Sequence, residues 1–147
     1  MTDGTTDDAR PARDPSALCL ACGLCCNGAF HDLVLLDEDE LDGAARHHLP
    51  VAGNVPFHAF RLPCPRLDDV DHTRCTIYTE RPRGCAAYTC ATLGGYLDES
   101  LAEAEAFSRI DATRTLFAAV AARPAGDAER PAAVAALAVA RKRWFDP

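Results

Sequence analysis

Cys19-Leu20-Ala21-Cys22-Gly23-Leu24-Cys25-Cys26 places four thiols within eight residues. A second group, Cys64, Cys75, Cys85 and Cys90, follows in the middle of the chain. Small buried hydrophobes do not account for such density. Thiolate is a soft donor that selects zinc, cuprous copper or iron–sulfur clusters over magnesium or calcium, so the spacing predicts a metal site with all eight cysteines as candidate ligands.

Compartment separates this reading from a disulfide framework. The first ten residues, Met1 to Arg10, carry no basic stretch leading into an apolar run, so no secretory signal is visible. No apolar run approaches the roughly 20 residues that span a bilayer. The expectation is a cytoplasmic protein, where thiols stay reduced and cysteine patterns mark metal or catalytic sites more often than disulfides.

Eight thiolates exceed the four that one tetrahedral zinc takes. Two sites, one polynuclear cluster with extra cysteines, or a set of thiols that do not ligate all fit the count. The adjacent pair Cys25 and Cys26 sharpens the problem, because neighbouring side chains diverge on a strand and point in different directions around a helix. Placing both on one ion requires a bent backbone. Cys19-x-x-Cys22-x-x-Cys25 opens like a bacterial ferredoxin motif, but the next cysteine follows at once instead of after three residues. Spacing fits iron and zinc alike.

The full pattern is Cys19-x-x-Cys22-Gly-x-Cys25-Cys26, then Pro63-Cys64-Pro65-x-Leu67, then Cys75-x-Ile77-Tyr78-x-x-Arg81-Pro82-x-x-Cys85-x-x-Tyr88-x-Cys90. It resembles the CxxCxxCC cysteine-cluster family, also called YkgJ-like, over residues 19 to 90, with every family cysteine present. The resemblance implies chelation of zinc or iron through Cys19, Cys22, Cys25, Cys26, Cys64, Cys75, Cys85 and Cys90. A related module occurs in flagellin lysine methylases, so it also admits a redox or protein-modifying enzyme that uses the cluster. A zinc-organised protein-interaction module is a further alternative. The departures at Ala86 and Thr89 leave all the thiols in place. The implied cofactor is an iron–sulfur cluster or iron, with zinc as the alternative.

Around the cysteines, composition and patterning predict a small α+β protein of one domain. Residues 1–15 read as a disordered leader and 16–95 as an irregular cysteine-cluster module with short strands. Residues 96–147 read as a C-terminal region of two helices packing on it. Leu33-Val34-Leu35-Leu36 fits a short buried strand, although four residues alone do not separate strand from helix, and Asp37 to Glu40 fits the acidic first turn of a helix ending near Gly43 or before Pro50. The three prolines between Val51 and Pro65 predict a loop that delivers Cys64. Cys75 to Tyr78 has strand character, and Arg81-Pro82-Arg83-Gly84 reads as a turn.

Ser100 followed by Glu103 signals a helix start. Leu101, Phe107, Ile110, Phe117 and Val120 then recur at helical spacing to about Arg123. Pro124, Gly126 and Asp127 break that helix. Pro131 suits the first position of the next one, with Val134, Leu137 and Trp144 on one face.

A formal net charge of −7, from 15 Lys plus Arg against 22 Asp plus Glu, disfavours nucleic-acid binding, which needs a basic face. The basic run Arg141-Lys142-Arg143 is explained by the C-terminal end of a helix dipole. Among His31, His47, His48, His58 and His72, the last is best placed in sequence for a supplementary ligand. Arg81 is a candidate for offsetting thiolate charge, and Tyr78 and Tyr88 for shielding the site from water. No phosphate-binding loop, zinc-protease motif or nucleophile elbow is present.

Overall fold

The computed structural model describes residues 13–54, 57–68 and 73–147. These residues form a small α+β fold in which a three-stranded sheet and several short helices meet a C-terminal helical hairpin. Most of the expected leader lies outside the described residues. Its last residues are held in place: Arg13 donates to the Tyr96 and Leu101 carbonyls at 3.0 and 2.8 Å. Asp14 caps helix α1, Pro15–Cys22, by accepting from the Ser16 N–H at 2.9 Å.

Strand β1, Leu33–Leu36, forms where the apolar run predicts it. It is half-buried instead of fully buried: Leu36 is 4% exposed, but Leu33 and Leu35 are 50% and 68% exposed, because only one face of the sheet meets the core. A 3-10 turn at Glu38–Glu40 runs into helix α2, Leu41–Arg46, confirming the acidic helix start. The Asp37 N–H donates to Glu40 Oε2 at 2.9 Å.

The segment from Val51, expected as a loop, instead contains two strands, β2 (Val51–Asn54) and β3 (Phe57–Arg61). They complete an antiparallel sheet in the order β1-β3-β2. Pro50 and Pro63 fall just outside the strands, so they cost the ladder no donor. In register, Val34 pairs with Phe60 and Leu36 with His58. This puts Phe60, 1% exposed, against Leu36, Ala44 and Leu49 in a small core.

Cys75 to Tyr78 is not a strand. Cys75 makes one isolated bridge to Leu67, and the chain then enters a 3-10 turn at Tyr78–Glu80. The predicted turn at Arg81–Gly84 is only half right, since helix α3 spans Arg83–Ala87. Gly84 sits in it because a Cβ there would stand 3.0 Å from the Leu35 carbonyl oxygen, so its absence lets α3 abut β1. Helix α4, Ala91–Leu97, forms where the sequence carries no helix signal, with Gly94 and Gly95 inside it.

Helix α5, Glu103–Ala121, and helix α6, Arg130–Trp144, are the expected C-terminal pair. Ser100 does not cap α5; Ala102 occupies that position and makes no side-chain cap bond. Ala106, Ile110, Thr113 and Val120 form the buried stripe of α5. On α6, Leu137 is buried, whereas Val134 is 44% exposed and off the expected face. These helices share the larger core with Leu18, Leu24, Phe30, Leu93, Tyr96 and Phe145. Among the described residues no helix is long and apolar enough to cross a membrane.

Candidate metal centre

Cys19 and Cys22 lie one turn apart on α1, which puts their side chains on one face. Gly23 ends the helix in the left-handed conformation at φ 67°, a geometry that costs glycine little. The N–H groups of Cys26 and Asn27 then return to the Gly23 carbonyl at 3.1 and 2.9 Å, so Cys25 and Cys26 ride on a tight turn. The backbone bends here, as the adjacent cysteines require.

The second group of cysteines is tied to the first through the main chain. The Cys64 N–H donates to the Cys26 carbonyl at 2.7 Å. Cys75 is held near Cys64 by its bridge to Leu67 and by the Thr76 N–H donating to the Arg66 carbonyl at 2.8 Å. Cys85 rides on α3, and Cys90 is the N-cap of α4. Arg83 fixes the start of α3 to the acidic turn: its N–H donates to Glu40 Oε1 at 2.8 Å and its guanidinium to Asp37 Oδ2 at 2.9 Å.

All eight cysteines line one cavity of about 330 Å³, together with His31, Tyr78, Arg81 and Tyr88. Every cysteine is a free thiol of intermediate exposure. Cys19, Cys22, Cys25 and Cys90 pack against the larger core, and Cys64 and Cys85 against the smaller one beneath the sheet. Among the described residues, no three or more His, Cys, Asp or Glu side chains are already drawn together as a group that could hold a metal ion.

Burial is the main electrostatic force on the site. It pushes Cys19 up to about 11 and Cys22 and Cys85 up to about 12, and moves Cys25, Cys26, Cys64, Cys75 and Cys90 the same way. Mutual repulsion adds to it. After burial, Cys25 is raised by Cys22, Cys90, Cys26 and Cys19, whereas Cys26 is raised by Cys85, Cys75 and Cys64 before Cys22.

Weaker forces oppose this. Backbone N–H groups of Leu24, Arg66, Ile77 and Leu93 favour the thiolates of Cys22, Cys64, Cys75 and Cys90. Two of these bonds measure 3.4 Å, Arg66 to Cys64 Sγ, and 3.3 Å, Leu93 to Cys90 Sγ. Arg81, stacked 3.7 Å over the Tyr78 ring, lowers Cys19, Cys75 and Cys85. In the metal-free chain burial wins, and the thiols hold their protons at neutral pH. A thiophilic cation supplies the missing positive charge and displaces those protons, so the donor set fits zinc or iron.

The histidines separate. His31 lines the cavity; its ring meets Tyr88 edge-on at 4.9 Å, and its buried Nε2 has no hydrogen-bond partner among the described residues. Burial, followed by the charges of Cys25 and Cys90, pushes Tyr88 up to about 12. His47 instead lies 3.3 Å from Glu80, and His72 lies outside the described residues. Sequence reasoning missed the role of the C-terminal end: the Ala91 N–H donates to the Phe145 carbonyl at 2.9 Å, and Thr92 Oγ1 donates to the Trp144 carbonyl. Phe145 also packs on Phe30 at 4.8 Å. No spacing signal links positions so far apart.

The family model CxxCxxCC, described as a putative zinc- or iron-chelating domain, matches residues 18–113. No curated protein and no solved structure matches the chain. The matched stretch is well over half of the 147 residues and takes in every cysteine of both groups. On that extent of agreement, the chain belongs to the CxxCxxCC family.

Proposed function

We propose that this protein chelates iron, held in a sulfide-bridged cluster, through Cys19, Cys22, Cys25, Cys26, Cys64, Cys75, Cys85 and Cys90, with zinc as the competing metal. The observation that carries the reading is the lining of one cavity by all eight free cysteines. Structural cysteines used for packing have no reason to face a common space. Eight thiols facing that space, against the four that one tetrahedral zinc takes, favour more than a lone zinc. When bound, an iron–sulfur cluster would supply cross-linking of distant segments and one-electron chemistry.

The protein's own contribution is to bury the thiols, aim backbone N–H groups at the sulfurs of Cys22, Cys64, Cys75 and Cys90, and set Arg81 against the accumulated charge. Hydrogen bonds to sulfur and nearby cations are the levers by which a protein tunes thiolate-bound metal. Metal and inorganic sulfide content of anaerobically purified protein tests the proposal. Iron with matching sulfide and visible charge-transfer absorbance is expected. Zinc without sulfide would reassign the metal, and folded, colourless, metal-free protein would reject chelation.

A further inference from the structure

The cysteines do not divide as their order in the chain suggests, into an early group and a late group. We propose that they form two separate four-thiolate centres, one of Cys19, Cys22, Cys25 and Cys90 and the other of Cys26, Cys64, Cys75 and Cys85, joined by the Cys25–Cys26 peptide bond. This rests on the chelation reading above and adds the number and composition of the centres.

Packing supports the division. Cys19, Cys22, Cys25 and Cys90 all pack against the helical core built around Leu18, Leu24, Phe30 and Phe145. Cys64 and Cys85 pack against the other core, that of Leu36, Ala44, Leu49 and Phe60. Main-chain bonds assign the remaining two. Cys26 accepts the Cys64 N–H at 2.7 Å, and the bridge from Leu67 to Cys75 holds Cys75 in the loop that Cys64 begins.

Local backbone geometry explains how adjacent residues part company. Cys25 and Cys26 lie on the turn that closes onto the Gly23 carbonyl, where consecutive side chains leave the backbone in different directions. Four thiolates are a complete ligand set for a tetrahedral zinc or for a cubane cluster, so each set is chemically closed once metal draws its sulfurs together. Arg81 lines the cavity that both sets face.

The test compares metal and sulfide content of the full-length wild-type chain with Cys90→Ser, Cys85→Ser and the double variant. Each single variant is expected to retain about half the wild-type metal, and the double variant almost none. Loss of all metal from a single variant that keeps the near-UV circular dichroism of its folded module, or loss of none from either, would overturn the partition. A second measurement does not depend on variants folding. Cadmium-113 spectra of wild-type chain loaded with cadmium alone should show two thiolate-bound resonances of equal intensity, and one resonance would overturn the proposal. A wild-type chain that takes up no metal would refute chelation itself, a result distinct from a metal load that cannot be halved.

Discussion

Stripping the metal with a chelator under reducing conditions is expected to lower the thermal midpoint by more than about 20 °C, or to abolish the cooperative transition of the cysteine module. The reason is scale. Structural zinc contributes roughly 10–16 kcal/mol in small zinc-finger peptides, whereas a whole domain is stable by about 5–15 kcal/mol. Between Cys22 and Cys90 the described elements are short, the longest helix being the six residues of α2 before Cys85. Much of the long-helix signal should survive, because the most extensive packing of α5 and α6 is on each other.

The stripped protein also acquires a pH dependence. Cys19 sits at about 11 and Cys22 and Cys85 at about 12 in the fold, against 9.0 for the free side chain. Below pH 9.0 both folded and unfolded chains keep these protons, so the thiols leave stability unchanged. Above it the unfolded chain sheds protons that the folded chain retains, and stability falls as pH rises through 11 to 12. Midpoints measured with and without chelator at rising pH check both effects. A midpoint shifted by only a few degrees on chelation would contradict the account.

Phe145→Ala is expected to cost about 3–5 kcal/mol, a fall of roughly 10 °C in the midpoint for a chain of this size. Phe145 is 1% exposed, lies 4.8 Å from the Phe30 ring and belongs to the core against which Cys19, Cys22, Cys25 and Cys90 pack. Its loss leaves a cavity beside that set. Phe57→Ala is the control: Phe57 is 76% exposed on the outer face of the sheet, and its removal should change stability by no more than about 0.5 kcal/mol. Chemical denaturation of the metal-loaded proteins separates the two, and equal effects would show that the C-terminal end does not support the module.

What the sequence conveyed and what it concealed follow from the range of the forces involved. Cysteine spacing is a local signal with a distinctive chemistry, so it marks all eight as candidate ligands, and the eight line one cavity. The C-terminal helices were legible because long apolar periodicity and the break around Pro124 to Asp127 point the same way. The hairpin of β2 and β3 was hidden by prolines that turn out to bracket the strands. Helix α3 was hidden by Gly84, which is required by close approach to Leu35 and does not mark a turn. Attachment of the chain end to Ala91 and Thr92 depends on tertiary contacts across more than 50 residues, which no local pattern encodes.

The most direct measurement is X-ray absorption at the edge of whichever metal the anaerobically purified protein carries. The account predicts a first shell of sulfur alone, with metal–sulfur distances of about 2.3 Å and, for iron, a second shell of neighbouring iron. A first shell dominated by nitrogen or oxygen would contradict it, because the metal would then be held by something other than the convergent cysteines.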